Sequence, residues 1–221
     1  SEQTKADIIT YLGIQPEKIK VIYQGCQEVF KKEYTEVQKE NTRLKFNLPK
    51  NFVLNVGTIE ERKNAFTIVK AIKEVDTTLV LIGRETAYSD KIKAYCKEYN
   101  IEHKVIFLKG ISSEGLAIIY QLATIFIYPS IFEGFGIPII EALFSKTPVI
   151  TTNSGVFPEA GGPNSIYVDA NDVNELTEKI TLLLEDESLR NSISNKGMEF
   201  VQKFNDNIIA EQLMQTYTSL S

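Results

Sequence analysis

From residue 51 onward, short apolar runs alternate with amphipathic stretches of helical period, and this alternation constrains the fold more than any other feature of the 221-residue sequence. Asn51 to Val56, Leu79 to Ile82, Val105 to Leu108, Ile125 to Tyr128, Pro148 to Thr151 and Ser165 to Val168 read as strands. Between them lie helical patterns: Asn64 to about Lys73 with Ala65, Ile68, Val69 and Ile72 on one face, about Asp90 to Tyr99 with Ile92, Cys96 and Tyr99, and about Ser113 to Leu122. Pro138 suits the first turn of a short helix, and Asp172 with Glu175 forms a capping-box-like start to one ending near Leu184. Two further helices, Glu187 to Phe204 and Asp206 to Thr218, fill the end of the chain. Strands separated by helices pair as parallel neighbours through right-handed crossovers. The expected fold is therefore α/β, a doubly wound, Rossmann-like parallel sheet.

Residues 1–50 fit this scheme less well. Thr4 to Leu12 has helical character, Ile19 to Tyr23 looks like a strand, and the lysine- and glutamate-rich stretch from Phe30 to Arg43 looks like a connector. Hydrophobic residues at 43% and charged residues at 24% are ordinary for a folded globular chain and exclude disorder. A net charge of −5 gives no support for a nucleic-acid partner. No apolar stretch approaches the ~18 residues that span a bilayer. Cys26 and Cys96 lack metal or redox spacing, and His103 stands alone, so no metal site is expected.

In a doubly wound sheet, ligands bind beyond the carboxyl ends of the strands. The loop after the first strand, Gly57 to Asn64, carries one glycine, which excludes a GxGxxG dinucleotide site, and nothing in the chain spells a P-loop. Its adjacent cations, Arg62 and Lys63, instead stand at a helix start where they would face an anion. The loop after the fourth strand, Pro129 to Ala142, is the most specific. Gly134 and Gly136 let the backbone approach a ligand closely, and the helix beginning at Ile137 or Pro138 turns its positive dipole end into the same crevice. That seats a phosphate without a metal. Glu133 and Glu141 are acceptor-only groups, suited to the paired hydroxyls of a sugar. The blander alternative is a helix-end charge and an exposed loop carboxylate.

Glu133 and Glu141, with seven residues between them, resemble the E-x7-E pattern of retaining GT-B glycosyltransferases, and the surrounding PSxxEGFGxPxxEA that of glycosyltransferase family four. The resemblance runs through nearly the whole chain from Asn51. It includes VGTxxxRKN at Val56 to Asn64, FLKGIS at Phe107 to Ser112 and TPVITTNSGVFPEAGG at Thr147 to Gly162. It implies the C-terminal half of a GT-B fold: residues 51–221 as the nucleotide-sugar-binding domain with C-terminal helices, 31–50 as a connector, and 1–30 as the tail of the N-terminal acceptor domain and the crossover. VIYQGC at Val21 to Cys26 departs from the NGVD many members carry there, through Gln24 and Gln27.

By position, the resemblance implies that Arg62 and Lys63 contact the donor diphosphate and that Glu133 holds the donor sugar. The amides of Gly134, Phe135, Gly136 and Ile137 would touch sugar and phosphate, and Glu141 the ribose. Leu108 to Ile111 would edge the nucleobase, and Gly57 would lie near the acceptor side. Glu159 lies in a loop with no assignable partner. The implied activity is metal-independent transfer of a hexosyl group from a nucleotide diphosphate sugar, with UDP or GDP the leading bases. No cofactor other than the donor substrate is implied. Relatives build surface polysaccharides in the cytoplasm, at the inner face of the membrane, which implies peripheral association of the full-length protein. The chain begins at Ser1 without methionine and reads as a fragment lacking most of the N-terminal domain, so by itself it is expected to transfer no sugar. A non-catalytic nucleotide-sugar-binding module and a GT-B-type sugar-nucleotide epimerase stand as alternatives.

Overall fold

The computed structural model describes residues 1–220. Six strands, β1 (Phe52–Val56), β2 (Thr78–Ile82), β3 (Val105–Leu108), β4 (Ile125–Tyr128), β5 (Val149–Thr152) and β6 (Ile166–Val168), form one sheet in the order β3-β2-β1-β4-β5-β6. Every neighbouring pair is parallel. The strand order reverses between β1 and β4, which places a topological switch point at their carboxyl ends.

Alternation along each strand builds a core on each face. Phe52, Leu54, Val80, Phe126 and Tyr128 point to one side, and Val53, Leu79, Leu81, Ile125 and Ile127 to the other. The second side is covered by α3 (Ala65–Ile72), α4 (Ala87–Glu98) and α8 (Val173–Glu185), which bury Ile68, Ile92 and Leu176 there. The first is covered by α5 (Ser113–Leu122) and α6 (Ile137–Phe144), with Phe30, Tyr34 and Leu48 from the N-terminal segment packed beside them. Burying one such side chain contributes about 1.5–3 kcal/mol, so both faces are needed to offset the entropy of ordering the chain. Among the described residues no helix is long and apolar enough to cross a membrane.

The pairing of β1 is uneven. Against β2 it runs from Phe52↔Thr78 to Val56↔Ile82, but against β4 only Val53↔Ile125 and Leu54↔Phe126 are partners. Beyond them the buried side chain of Asn55 bridges the strands, its Nδ2 donating to the Ile127 carbonyl at 2.8 Å.

Several sequence expectations are corrected. Residues 19–23 form no strand, and Tyr23 packs instead on Phe135 and Phe204. Residues 31–50 contain a helix that the sequence did not announce, α2 (Glu36–Lys45), whose Thr35–Gln38 capping box satisfies the first turn. Its apolar positions Val37 and Leu44 are exposed, so no periodic stripe announced it. Asn64 precedes α3 but does not cap it: it sits at φ 55, and its Nδ2 donates to the carbonyls of Pro129 and Ala170. The helix placed from Asp90 starts earlier, at Ala87, behind a Thr86–Ser89 capping box. Glu159 lies not in a loop but on the short helix α7 (Phe157–Gly161). The chain closes with α9 (Glu187–Val201), a 3-10 turn over Gln202–Phe204, and α10 (Asp206–Leu220), while α1 (Glu2–Leu12) opens it.

Candidate functional site

Val56 and Tyr128 end β1 and β4, and the loops that follow are tied together. The Arg62 carbonyl accepts from Ile131 N–H at 2.9 Å and lies 3.0 Å from the Ser130 hydroxyl, and the Arg62 guanidinium donates to the Phe132 carbonyl. With the Asn64 amide on Pro129 at 3.2 Å, the loop bearing the cations and the loop bearing Glu133 are bonded to each other at four places.

Glu133 is the centre of this unit. Its Oε1 lies 2.5 Å from Lys63 Nζ and 2.8 Å from Arg62, accepts from the Tyr128 hydroxyl at 3.0 Å, and lies 2.9 Å from the Ser130 hydroxyl. All four closest approaches fall on Oε1, which leaves Oε2 the freer acceptor. Burial disfavours the charge on Glu133, but hydrogen bonds from Lys63, Arg62 and Ser130 overcome it and hold its pKa below the usual value. Arg62 is 41% exposed and shares itself with Glu60 at 2.7 Å, whereas Lys63 is enclosed and lies over the Tyr128 ring at 5.0 Å. The Tyr128 hydroxyl also contacts Lys63 Nζ at 2.5 Å. Burial, then the Glu133 charge, raise its pKa strongly, so it remains a donor.

Gly136 stands at φ 115 immediately before α6, a conformation that L side chains rarely adopt. The start of α6 is sparser in donors than expected, since Pro138 has no N–H and Ile139 N–H bonds to the Gly136 carbonyl at 2.9 Å. Gly134 has no such conformational need, and a Cβ there would meet no protein atom within 4 Å. Lys63, Tyr128, Glu133 and residues 134–137 line a cavity of about 470 Å³, and Ser1 and Tyr23 line it too.

A second cavity of about 680 Å³ opens at the ends of β1, β2 and β3, lined by Gly57, Gly83, Arg84, Lys109, Gly110 and Ile111. Gly57 links the two: a Cβ on it would lie 3.4 Å from Lys63 Cε. The sequence-predicted residues therefore divide. Lys63, Glu133, Gly134, Phe135, Gly136 and Ile137 share one cavity, and Gly57 and Ile111 the other. Leu108 packs toward the core, with its carbonyl accepting from Gly83 N–H. Glu141 lies one turn into α6, half-buried, and accepts from the Tyr120 hydroxyl at 3.1 Å. Burial pushes its carboxyl up to about 7 against the lowering effect of that bond. Sequence reasoning missed Tyr128, Ser130, Gly83 and Tyr23. For Tyr128 the available signal was a hydroxyl-bearing ring at the carboxyl end of an otherwise aliphatic and aromatic strand.

A doubly wound parallel sheet, with paired cations and a carboxylate clustered at its switch point beneath a glycine-broken helix start, defines a domain of the GT-B glycosyltransferase class. Comparison with known families gives the particular assignment. The chain belongs to the glycosyl transferases group 1 family, whose model matches residues 36–200. It is 29% identical over 175 residues to O-antigen chain mannosyltransferase B of Escherichia coli, covering 76% of this chain and 46% of that protein. With O-antigen chain mannosyltransferase RfbU of Salmonella typhimurium the identity is 33% over 174 residues, 78% of this chain and 46% of the other. The chain thus spans about half the length of these relatives. The crystal structure of Anabaena Alr3699/HepE in complex with UDP superposes with a TM-score of 0.90 at 21% identity, over 99% of this chain and 62% of that one, a likeness of fold.

Proposed function

We propose that this chain is the donor-binding part of a retaining glycosyltransferase that moves a hexosyl group from a nucleotide diphosphate sugar to an acceptor in surface polysaccharide synthesis. The observation that carries the reading is the convergence of Lys63, Arg62, Tyr128 and Ser130 on one oxygen of Glu133, at the mouth of a cavity beside the α6 start. Glu133 Oε2 then accepts from hydroxyls of the transferable sugar. Gly134, which the fold leaves unconstrained, gives the sugar room to approach the backbone. The diphosphate lies between the cations and the dipole of α6, and the nucleoside extends past Gly57 into the second cavity.

Cleaving the sugar–phosphate bond leaves charge on the departing diphosphate. Lys63, Arg62 and the helix start stabilise it by preorganised electrostatics, where removal of one donor typically costs roughly 10²–10³ in rate. In the free protein the cations are neutralised by Glu133 and Glu60, so the more exposed Arg62 turns from Glu60 toward the diphosphate on binding. The mannosyltransferase relatives favour mannose as the transferred sugar, and the UDP-bound neighbour favours UDP as the nucleotide. A setting at the cytoplasmic face of the membrane, with the other half of the enzyme supplying the acceptor site, belongs to the same proposal. Calorimetric titration with UDP, GDP and ADP and their sugars, with and without EDTA, tests it. Binding of one nucleoside diphosphate that survives chelation is expected, and no binding by any of them overturns the reading.

A further inference from the structure

Glu159 reaches across the molecule to two elements distant in sequence. Its Oε2 accepts from Glu2 N–H at 2.6 Å and its Oε1 from Gln3 N–H at 2.8 Å, so one carboxylate closes the first turn of α1. Ser1 completes that turn by accepting from Thr4 N–H at 3.0 Å. Oε2 also accepts from the Tyr23 hydroxyl at 3.1 Å. A carboxylate at a helix N-terminus, bonded to first-turn amides, is favoured by both the free donors and the dipole.

The Tyr23 ring in turn stacks on Phe135, with centroids 5.5 Å apart and planes 17° from parallel, and meets Phe204 edge-on at 5.4 Å. Phe135 lies between Gly134 and Gly136, meets Phe204 edge-on at 5.6 Å as well, and has Glu133 as its near neighbour in the chain. Burial, then the bond to Glu159, push the Tyr23 hydroxyl up to about 12, so it is a donor at neutral pH. Ser1 and Tyr23 line the 470 Å³ cavity together with Glu133 and Phe135.

We infer that Glu159 is a positioning residue for the site: it pins the start of α1 and the Tyr23 ring together, and through the Tyr23–Phe135 stack it fixes the Gly134–Gly136 loop and the width of the cavity meant for the transferable sugar. The sugar rests on the function proposed above; the mechanical coupling does not. Glu159 touches neither the diphosphate cations nor the second cavity, so its loss falls on the sugar and spares the nucleotide.

The test compares Glu159→Ala, Tyr23→Phe and the unaltered protein. Amide exchange at Glu2 and Gln3 and NMR shifts of Gly134, Phe135 and Gly136 report the latch directly. Titrations with UDP, UDP-glucose, GDP and GDP-mannose report its consequence. Glu159→Ala is expected to speed exchange at Glu2 and Gln3 at least about tenfold, to shift the three loop amides, and to weaken the sugar-bearing ligand about tenfold while the bare diphosphate changes less than about twofold. Tyr23→Phe, which keeps the ring, gives the loop shifts in smaller measure and keeps the fold if Glu159→Ala does not. Faster exchange at Glu2 and Gln3 with unmoved loop amides would reduce Glu159 to a helix cap and overturn the inference. Equal weakening of bare and sugar-bearing ligands would also overturn it. Absence of any nucleotide binding by the unaltered protein overturns the proposed function instead, and the loop shifts still decide the coupling.

Discussion

Lys63 and Glu133 face each other across the switch point with Nζ 2.5 Å from Oε1, and each side chain is only 13% exposed. An enclosed pair of this kind contributes little net stability, yet removing one partner strands the other. Lys63→Met leaves Glu133 with the more exposed Arg62 as its remaining cation, and urea unfolding is expected to show a loss of about 3 kcal/mol. The double change Lys63→Met with Glu133→Leu recovers most of it, while both variants lose nucleoside diphosphate binding. A double variant as unstable as the sum of its singles would show that the pair is not coupled.

The two glutamates of the E-x7-E pattern stand in different surroundings, so their truncations separate. Glu133 lines the cavity beside the α6 start, whereas Glu141 lies within α6 and faces Tyr120. A hydrogen bond to a charged group is worth about 1.5–3 kcal/mol, or roughly ten- to a hundredfold in affinity. Glu141→Ala is expected to weaken UDP or GDP and their sugars alike by such a factor. Glu133→Ala weakens the nucleotide sugar and leaves the bare diphosphate nearly unchanged, since it releases Lys63 and Arg62 rather than removing them. Equal losses for both ligands in Glu133→Ala would end that assignment; circular dichroism confirms that each variant is folded.

Stability and binding should respond oppositely to pH through Glu141. Its carboxyl rises from 4.5 in the unfolded chain to about 7 when folded. A group raised in this way contributes stability that is fully present below about pH 4.5 and is lost as pH climbs through 7, here by at most about 3 kcal/mol. In the proposed complex a ribose diol donates to the ionised form, so diphosphate affinity is expected to increase over the upper part of the same window. Urea midpoints and calorimetry at about pH 5 and about pH 8 should show both trends. Glu141→Gln flattens both, and an unchanged pH profile in that variant would assign the dependence elsewhere.

Gly83 allows the ends of β1 and β2 to touch. A Cβ there would stand 1.9 Å from the Gly57 carbonyl oxygen, a backbone atom that can yield only by moving the strand end. Gly83→Ala is therefore expected to destabilise by about 1–3 kcal/mol and to weaken nucleotide binding at the second cavity. A variant that melts and binds like the unaltered protein would show that the strand ends are looser than this contact implies.

The strands and the Pro129 to Ala142 loop were legible because their signals are local. Apolar runs of strand length recur at regular spacing, and glycines bracket Phe135 just before Ile137 and Pro138. Tyr128, Asn64 and Glu159 were not, because their roles are set by partners far along the chain. Asn64 has the chemistry of a cap, but tertiary carbonyls at Pro129 and Ala170 claim its amide. Glu159 bonds to residues 156 and more positions away, which no spacing rule reaches. Residues 19–23 have strand-like composition and find no edge to join, so ring packing at Tyr23 decides their path.

The early parting of β1 and β4 means that the crevice is made by unzipping the sheet rather than by adding a loop to it. Where a continuous ladder would go on from Leu54↔Phe126, a single side-chain amide at Asn55 holds the fork at a fixed gauge. The spacing between the strand that delivers Lys63 and the strand that delivers Glu133 is thereby set within the sheet by one buried residue outside the cavity, and beyond the sheet by the loop bonds around Arg62. Lengthening that amide by one methylene, as in Asn55→Gln, is a dial on the jaw of the site that replaces none of the groups lining the cavity.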